Sequence, residues 1–353
     1  MEPGGAENLL KFQLTCFDSK KYKIHLGFLI GNGTLIEKDW SKSYGIMVMD
    51  FSNDGKFHYS SIFKINDYIN KNNIDIVHSH LMQSGVLVKL ISIFNKNFKS
   101  ISTRHYGKAS KRHRLINKIE NVLVNYDYKI ICVSKYIKLH MQKLGIQENK
   151  LKVIYNGIDL DSYKKLNKIK NDNFTIGTVG RVNAKKGIDT VLRAFEKVLI
   201  DYPNLKLNIV GDGPLKEEYI KLSIKLGINE NVKFLGYMQP KEVMAEMSKW
   251  HLFILASKSE GFGMVLIEAG ALGIPIIATR VGAIPEIIKD DYNGYLVDVD
   301  SIYQIYKKIL YLIHSKNNRK RLSKNGLENV NENFSILKMV EKTEELYEEI
   351  LQK

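Results

Sequence analysis

Residues 253–288 carry the pattern that most limits what this chain can fold into: FILASKSEGFGMVLIEAGALGIPIIATRVGAIPEII. A short apolar strand comes first, and a polar loop broken by Gly261 and Gly263 follows it. An apolar helical run and then a β-branched run predict a helix and a second strand. These elements are predicted to form one βαβ unit, whose loop lies at the carboxyl end of a parallel strand, where open α/β sheets bind ligands.

The glycine loop also predicts a site for an anion. Two glycines let the backbone approach a ligand closely. The N–H groups of Met264, Val265 and Leu266 begin the predicted helix and lack intrahelical partners, so they are expected to face an anion such as phosphate.

Two carboxylates frame this loop. Glu260 precedes the predicted helix, and Glu268 lies one turn inside it, roughly 6 Å along the axis at about 1.5 Å per residue. Both could be solvated surface acids, but Glu268 interrupts an apolar run where no solvent-facing turn is expected. Since phosphate repels carboxylates, the two acids are predicted to bind neutral hydroxyl groups such as those of sugars.

The letters SEGFGMVLIEA at 259–269 resemble the glutamate–seven residues–glutamate signature of family 4 of the retaining glycosyltransferases, whose members have the GT-B fold. The resemblance implies that Glu260 contacts the donor sugar, that Glu268 binds the ribose hydroxyls, and that the helix start meets the diphosphate. Its donor-binding residues in this loop are Gly261, Phe262, Gly263, Met264, Val265 and Leu266.

Composition narrows the class of protein and its surroundings. The 353 residues are 44% hydrophobic, which suffices for one large or two ordinary cores. The two cysteines and the absence of an 18-residue apolar run predict a reduced, cytoplasmic protein, with a place on the inner face of the membrane also open. A net charge of +15 favours an anionic partner, either a membrane surface or a phosphate-bearing substrate, and no nucleic-acid motif is present.

The first part of the chain alternates strands with helices, which predicts a parallel sheet with helices on both faces. The predicted strands cover 23–29, 46–49, 74–80, 99–105 and 129–134, and the predicted helices 60–71, 86–94 and 135–144. We therefore predict an N-terminal, acceptor-side Rossmann-like domain over residues 1–160.

The opening residues, MEPGGAE, predict a glycine loop that enters a helix. In the resembling family such a loop follows the first strand of the N-terminal domain, and by that resemblance Gly4 and Gly5 face the donor phosphate and the acceptor. The sequence does not show that first strand: either the start is truncated or misassigned, or the sheet begins with what is normally its second strand. Removal of a central strand is expected to expose two sheet edges and part of the core.

His80 and His105 both follow predicted strands and are expected at the rim of the sheet. Lone histidines are more often structural, and His78 is predicted to be so. The family places functional histidines after these strands, which implies a role for His105 beside the donor sugar and the acceptor. No set of ligands at metal spacing accompanies them, so no metal site is predicted.

A basic stretch at 108–116 runs into apolar residues at helical spacing. It is either an ordinary domain helix with a solvated basic turn or a surface that docks on anionic lipid, and the sequence leaves both open.

Residues 153–159 resemble the hinge between the two GT-B domains, and the polar stretch at 164–173 is predicted to be a linker. A C-terminal nucleotide-sugar-binding domain is predicted over 161–335. Helices are predicted at 302–322 and 336–351, and segment 336–353 is expected to cross back to the first domain.

Arg181 and Lys186 follow the predicted strand at 174–181 and could be ordinary surface cations. By resemblance they are the diphosphate clamp of the family, and Gly211, Tyr237 and Met238 lie near the nucleotide. The catalytic group implied is therefore His105, Arg181, Lys186 and Glu260.

The sequence thus predicts an α/β protein of GT-B type, with two Rossmann-like domains facing across a cleft. We expect a retaining glycosyltransferase without metal or other cofactor, acting in surface polysaccharide synthesis. It would move a sugar from a nucleotide-diphosphate donor to a glycan or lipid-linked acceptor. A GT-B nucleotide-sugar epimerase, a phosphorylase and a non-catalytic nucleotide-sugar-binding protein remain alternatives. The sugar, base, acceptor, linkage and oligomeric state are not encoded in any recognisable pattern.

Overall fold

The computed structural model describes residues 5–29, 44–52, 58, 60–105, 123–166 and 172–352. The chain divides into two compact units, one of Met1–Gly157 with Ile336–Lys353 and one of Ile158–Ser335. Gly4 and the basic stretch at 108–116 lie outside the described residues.

The first unit is a parallel α/β unit. Its strands are β1 (His25–Phe28), β2 (Met47–Asp50), β3 (Ile76–His80), β4 (Lys99–Arg104), β5 (Lys129–Cys132) and β6 (Leu151–Val153). Its helices are α1 (Gly5–Thr15), α2 (Ser61–Lys71), α3 (Met82–Phe94) and α4 (Lys135–Lys143). Strands β1 and β2 pair with each other, while β3 to β6 form a separate sheet in chain order. Among the described residues β1 and β3 are therefore both edge strands.

A shared hydrophobic core joins these two sheets. Phe51 follows β2, Ile65 and Ile69 lie on α2, and Ile91 lies on α3, and all four side chains belong to one buried cluster. Helix α3 begins at Met82, earlier than predicted, and the N–H of Gly85 donates to the Leu81 carbonyl at 3.2 Å across its first turn.

A buried ion pair lies beneath the sheet of the first unit. Lys89 Nζ and Asp127 Oδ2 are 3.1 Å apart, and both side chains are fully buried. The hydroxyls of Ser100 and Ser102 donate to the two carboxylate oxygens at 2.8 and 2.6 Å. These bonds offset the desolvation of the Asp127 carboxylate.

The second unit is built on one six-stranded parallel sheet. Its strands are β7 (Thr175–Val179), β8 (Lys206–Val210), β9 (Val232–Gly236), β10 (Leu252–Leu255), β11 (Ile276–Thr279) and β12 (Tyr295–Val297), in the spatial order β12-β11-β10-β7-β8-β9. The order reverses between β7 and β10, whose carboxyl ends therefore flank the switch point where α/β sheets bind ligands. Gly177 of β7 is required there, because an added Cβ would lie 1.9 Å from the Trp250 ring.

The helices of the second unit are α5 (Leu160–Lys164), α6 (Ile188–Leu199), α7 (Lys216–Lys225), α8 (Pro240–Ser248), α9 (Met264–Ala271), α10 (Ile284–Ile287), α11 (Ile302–His314) and α12 (Lys316–Asn333). The single helix predicted at 302–322 is wrong. Ser315 ends α11, and its side chain accepts a hydrogen bond from Asn318 N at 3.4 Å, which begins α12.

Helix α13 (Ile336–Leu351) closes the chain and packs on α1 within the first unit. The amide of Gln13 donates to the Thr343 hydroxyl at 3.5 Å, and the Phe17 and Tyr347 rings stack with centroids 5.9 Å apart. The last helix is thus part of the core of the first unit.

Candidate active site

Two loops meet at the switch point of the second unit. The loop after β7 carries Lys186, and the loop after β10 carries Glu260. Lys186 Nζ donates to Glu260 Oε2 at 2.8 Å, and their side chains are only 23% and 17% exposed. The sequence predicted both residues as site residues, and the structure brings them into direct contact.

A backbone bond also joins the two loops. The N–H of Lys258 donates to the carbonyl of Lys185 at 2.7 Å. Gly187 adopts a left-handed φ of 62°, and an added Cβ there would lie 2.1 Å from the Ala256 carbonyl oxygen. The position of Lys186 therefore depends on a close approach that only glycine permits.

A third loop supports Glu260 from behind. The N–H of Ala283 donates to the Glu260 carbonyl at 3.2 Å. Gly282 has a φ of 55°, and its added Cβ would lie 1.9 Å from the same carbonyl oxygen. Nothing in the sequence pattern pointed to Gly282, because its role arises from a contact with a residue 22 positions earlier.

The glycine loop leads into α9 as expected, with one correction. Gly263 has a φ of 101° and precedes the helix. The N–H of Leu266 is not free, because the turn at Gly263 brings its carbonyl within 2.9 Å of Leu266 N. In the part of the chain that the structure describes, the N–H groups of Met264 and Val265 have no hydrogen-bond partner. The helix tip thus offers two donors.

The remaining loop residues differ in what they expose. The Phe262 side chain is buried against Phe334, with ring centroids 5.9 Å apart, so Phe262 offers a ligand only its backbone. Arg181 is exposed, and its guanidinium has no partner among the described residues. A guanidinium in this state is available to a bound anion.

Gly211 adopts a φ of 125°, and an added Cβ would lie 2.1 Å from the Gly180 carbonyl, so Gly211 sets the path of the loop that carries Arg181. Beyond β9, Tyr237 is exposed and Met238 half-buried. Both lie at the carboxyl edge of the same sheet.

Glu268 lies inside α9, and burial raises the pKa of its carboxyl to about 7. Tyr163 of α5 is a buried neighbour on the helix that packs against α9, and the pKa of its phenol is raised by burial and by the Glu268 charge. A carboxyl that ionises near neutral pH can accept hydrogen bonds from hydroxyl groups once a ligand surrounds it. No motif in the sequence pointed to Tyr163, which lies on a separate helix.

Three histidines cluster at the carboxyl edge of the first unit's sheet. The His78 and His80 rings lie 4.3 Å apart, and the His80 and His105 rings 6.3 Å apart. Burial lowers the pKa of His78 to about 3 and that of His105 to about 4, and it holds the pKa of His80 well below its usual range. All three are neutral at physiological pH.

Hydrogen bonds distinguish His78 from His105. His78 Nδ1 lies 2.6 Å from the Tyr347 hydroxyl and Nε2 lies 2.6 Å from the Thr103 hydroxyl, so His78 is fully used within the fold. His105 Nε2 is buried and has no hydrogen-bond partner among the described residues. Of the two rings, His105 is therefore the one with capacity for a ligand. Gly5, which was also predicted as a donor-binding residue, is the first residue of helix α1 in the first unit.

No group of three or more histidine, cysteine, aspartate or glutamate side chains within the described ranges could hold a metal ion. Likewise, the helices in those ranges include none long and apolar enough to cross a membrane.

Comparison with solved structures identifies the fold. The chain superposes on the crystal structure of Anabaena HepE in complex with UDP and glucose with a TM-score of 0.81 and 21% identity, over 98% of this chain and 96% of that one. It superposes on sucrose-phosphate synthase of Thermosynechococcus elongatus with a TM-score of 0.83 and 18% identity, over 99% of this chain and 94% of that one. These likenesses show the fold, which is that of the GT-B glycosyltransferases.

Sequence comparison then gives the family. Residues 3–162 match the profile of Glycosyltransferase Family 4, and residues 159–329 match that of the glycosyl transferases group 1. An uncharacterized glycosyltransferase of Methanocaldococcus jannaschii is 32% identical over 98% of this chain and 93% of its own length. The capsular polysaccharide biosynthesis glycosyltransferase CapM of Staphylococcus aureus is 30% identical over 63% of this chain and 62% of its own length. The chain belongs to the glycosyltransferase family that these two profiles describe, and it is a glycosyltransferase.

Proposed function

We propose that this enzyme is a retaining, metal-independent glycosyltransferase that uses a nucleotide-diphosphate sugar. The observation that carries the proposal is the contact between Lys186 and Glu260 at the switch point of the second unit, beside the tip of α9. A cation and a helix tip suit a diphosphate, and a carboxylate held beside them suits the hydroxyls of the attached sugar.

The diphosphate is bound by Arg181, Lys186 and the N–H groups of Met264 and Val265. Arg181 is exposed without a partner in the described part of the chain, and the two N–H groups are likewise open. These cations and dipoles stabilise the negative charge that grows on the leaving diphosphate. This set supplies the charge that a metal would otherwise bring.

In the reaction, the bond between the anomeric carbon and the diphosphate oxygen breaks while a bond to the acceptor hydroxyl forms on the same face. The hydroxyl proton passes to the departing phosphate oxygen, so the anomeric configuration is retained. In this proposal Glu260 orients the sugar and forms no covalent intermediate, and Lys186 holds its Oε2. Glu268 accepts hydrogen bonds from the ribose hydroxyls, and these donors favour the ionised form of its carboxyl, whose pKa burial raises to about 7.

His105 contacts the donor sugar or the acceptor hydroxyl in this proposal. Its ring is neutral, since burial lowers its pKa to about 4, and its free Nε2 can accept or donate one hydrogen bond. A His105→Gln variant that keeps full turnover contradicts this role.

The acceptor is a glycan or a lipid-linked sugar, and the setting is surface polysaccharide synthesis in the cytoplasm. CapM, whose name places it in capsular polysaccharide biosynthesis, supports this part of the proposal. Binding to an anionic membrane face through the basic stretch at 108–116 is tested by co-sedimentation with vesicles of rising anionic-lipid content. If the bound fraction of the protein does not rise with the anionic-lipid content, membrane binding through this stretch is contradicted.

The proposal as a whole is tested by donor screening followed by transfer. Sugar nucleotides are ranked by thermal stabilisation of the protein, with UDP-glucose first because HepE was solved with UDP and glucose. The best donor is then incubated with candidate acceptors in the presence of a chelator, and the product is examined by NMR. We expect transfer with retained configuration. Inverted product or loss of activity with chelator contradicts the mechanism, and turnover only with orthophosphate indicates a phosphorylase instead.

A further inference from the structure

Two protein donors converge on one oxygen of Glu260. Lys186 Nζ donates to Oε2 at 2.8 Å, and the hydroxyl of Ser257 donates to the same Oε2 at 3.3 Å. Over the residues that the structure describes, the other oxygen, Oε1, accepts no hydrogen bond. Because Lys186 and Ser257 both engage Oε2, the carboxylate is held in one orientation with Oε1 left for a ligand.

Ser257 is itself fixed by buried contacts. It lies just beyond β10 and is completely buried. The hydroxyl of Thr279, at the end of β11 and equally buried, donates to the Ser257 carbonyl. Strands β10 and β11 are hydrogen-bonded neighbours in the sheet. A chain of hydroxyl contacts therefore runs from the sheet through Ser257 to Glu260.

We propose that Ser257 is a positioning residue that aims Oε1 of Glu260 and so makes the enzyme select a donor sugar with a hydroxyl facing that oxygen. This inference rests on the proposed function. A carboxylate that is free to rotate can adapt to several sugars, whereas one held at Oε2 offers a single acceptor in one direction. A site built to bind one hydroxyl rejects an analogue that lacks it, because the acceptor is then left unpaired.

The test compares Ser257→Ala with Ser259→Ala, an exposed serine of the same loop. Donor turnover is measured with the parent sugar nucleotide and with analogues that each lack one sugar hydroxyl. We expect Ser257→Ala to lower kcat/KM for the parent about tenfold. It should leave the Kd of the free nucleoside diphosphate unchanged and cause no further loss on the one analogue that lacks the selected hydroxyl. Ser259→Ala should behave as wild type.

A second variant, Thr279→Val, keeps the side-chain shape but removes the bond to Ser257. We expect a smaller fall in kcat/KM for the parent donor, and again no fall for the analogue that lacks the selected hydroxyl. It also serves if Ser257→Ala fails to fold. Equal losses on the parent and on every analogue, or an unchanged kcat/KM in both variants, overturn the inference. A wild-type enzyme that turns over no sugar nucleotide overturns the proposed function itself, whereas an active wild type matched by Ser257→Ala overturns only the inference.

Discussion

Lys186 and Glu260, 74 residues apart in the chain, form a hydrogen-bonded ion pair of 2.8 Å at the carboxyl edge of the second unit's sheet. Each charge is compensated by the other, which lowers the cost of keeping both in a half-buried site. A diphosphate that binds Lys186 therefore enters a site where the sugar-binding carboxylate is in place. The pair links binding of the diphosphate to orientation of the sugar.

Replacing the exposed cation of the site should impair catalysis and leave the fold intact. Arg181→Ala removes a guanidinium that has no partner in the described part of the chain, so the thermal midpoint should not change. We expect donor kcat/KM to fall about 10- to 100-fold, because charge on the leaving diphosphate is less well stabilised. Arg193→Ala, on the exposed face of α6, is the matched control. Unchanged turnover in Arg181→Ala means that Arg181 is not part of the clamp.

Gly282 should be essential for a steric reason. In Gly282→Ala the new Cβ would lie 1.9 Å from the Glu260 carbonyl oxygen, so the loop that carries Glu260 has to move. We expect at least a tenfold loss of donor turnover, since small displacements of positioning groups are costly. Gly227→Ala has a similar φ of 69° but open space around it, and so controls for backbone strain alone. Equal activity in the two variants contradicts this role.

Glu268 should make the second unit less stable as pH rises. Its pKa is about 7 in the folded chain, against an ordinary value of 4.5, so the folded chain binds more protons between these values. The contribution of Glu268 to the free energy of unfolding is therefore fully present below about pH 4.5 and is lost as the pH rises through 7, by up to about 3 kcal/mol in total. Denaturant unfolding at several pH values should show this fall in wild type, and Glu268→Gln should reduce it. The exposed Glu217→Gln should leave the profile unchanged. Matching profiles for Glu268→Gln and wild type contradict the assignment.

The buried pair of the first unit should be costly to break. Asp127→Asn leaves Lys89 charged in a fully buried position, and we expect a loss of about 3–5 kcal/mol in the free energy of unfolding. The double variant Lys89→Met with Asp127→Leu should lose less, since no buried charge remains. Urea unfolding measures both. The exposed pair Lys71–Asp67 is the control, and Asp67→Asn should have no measurable effect. If the double variant loses as much free energy of unfolding as Asp127→Asn, this explanation is contradicted.

The sequence could predict the elements around the site because their signals are local. Gly261 and Gly263 between an apolar strand and an apolar run mark a strand–loop–helix turn, and the structure places β10 and α9 there. Glu268 stood out because it interrupts an apolar run. Such signals need only a few neighbouring residues, so one sequence suffices to read them.

The contacts that determine the site's geometry could not be predicted in the same way. The bond between Lys186 and Glu260, the hydroxyl of Ser257 on Oε2 and the approach of Gly282 to Glu260 all depend on how separate loops meet. The break at Ser315 was missed for another reason, because its flanks are both helical in composition and only the serine cap marks the boundary.

The most direct measurement for the central claim, that the second unit holds a diphosphate beside a sugar-binding carboxylate, is calorimetric titration with a nucleoside diphosphate and its monophosphate. The base comes from the donor screen, and wild type, Lys186→Ala and the control Lys185→Ala are compared. We predict that wild type and Lys185→Ala bind the diphosphate at least tenfold more tightly than the monophosphate and that Lys186→Ala loses most of this difference. Equal affinity for the two nucleotides in wild type would contradict the account.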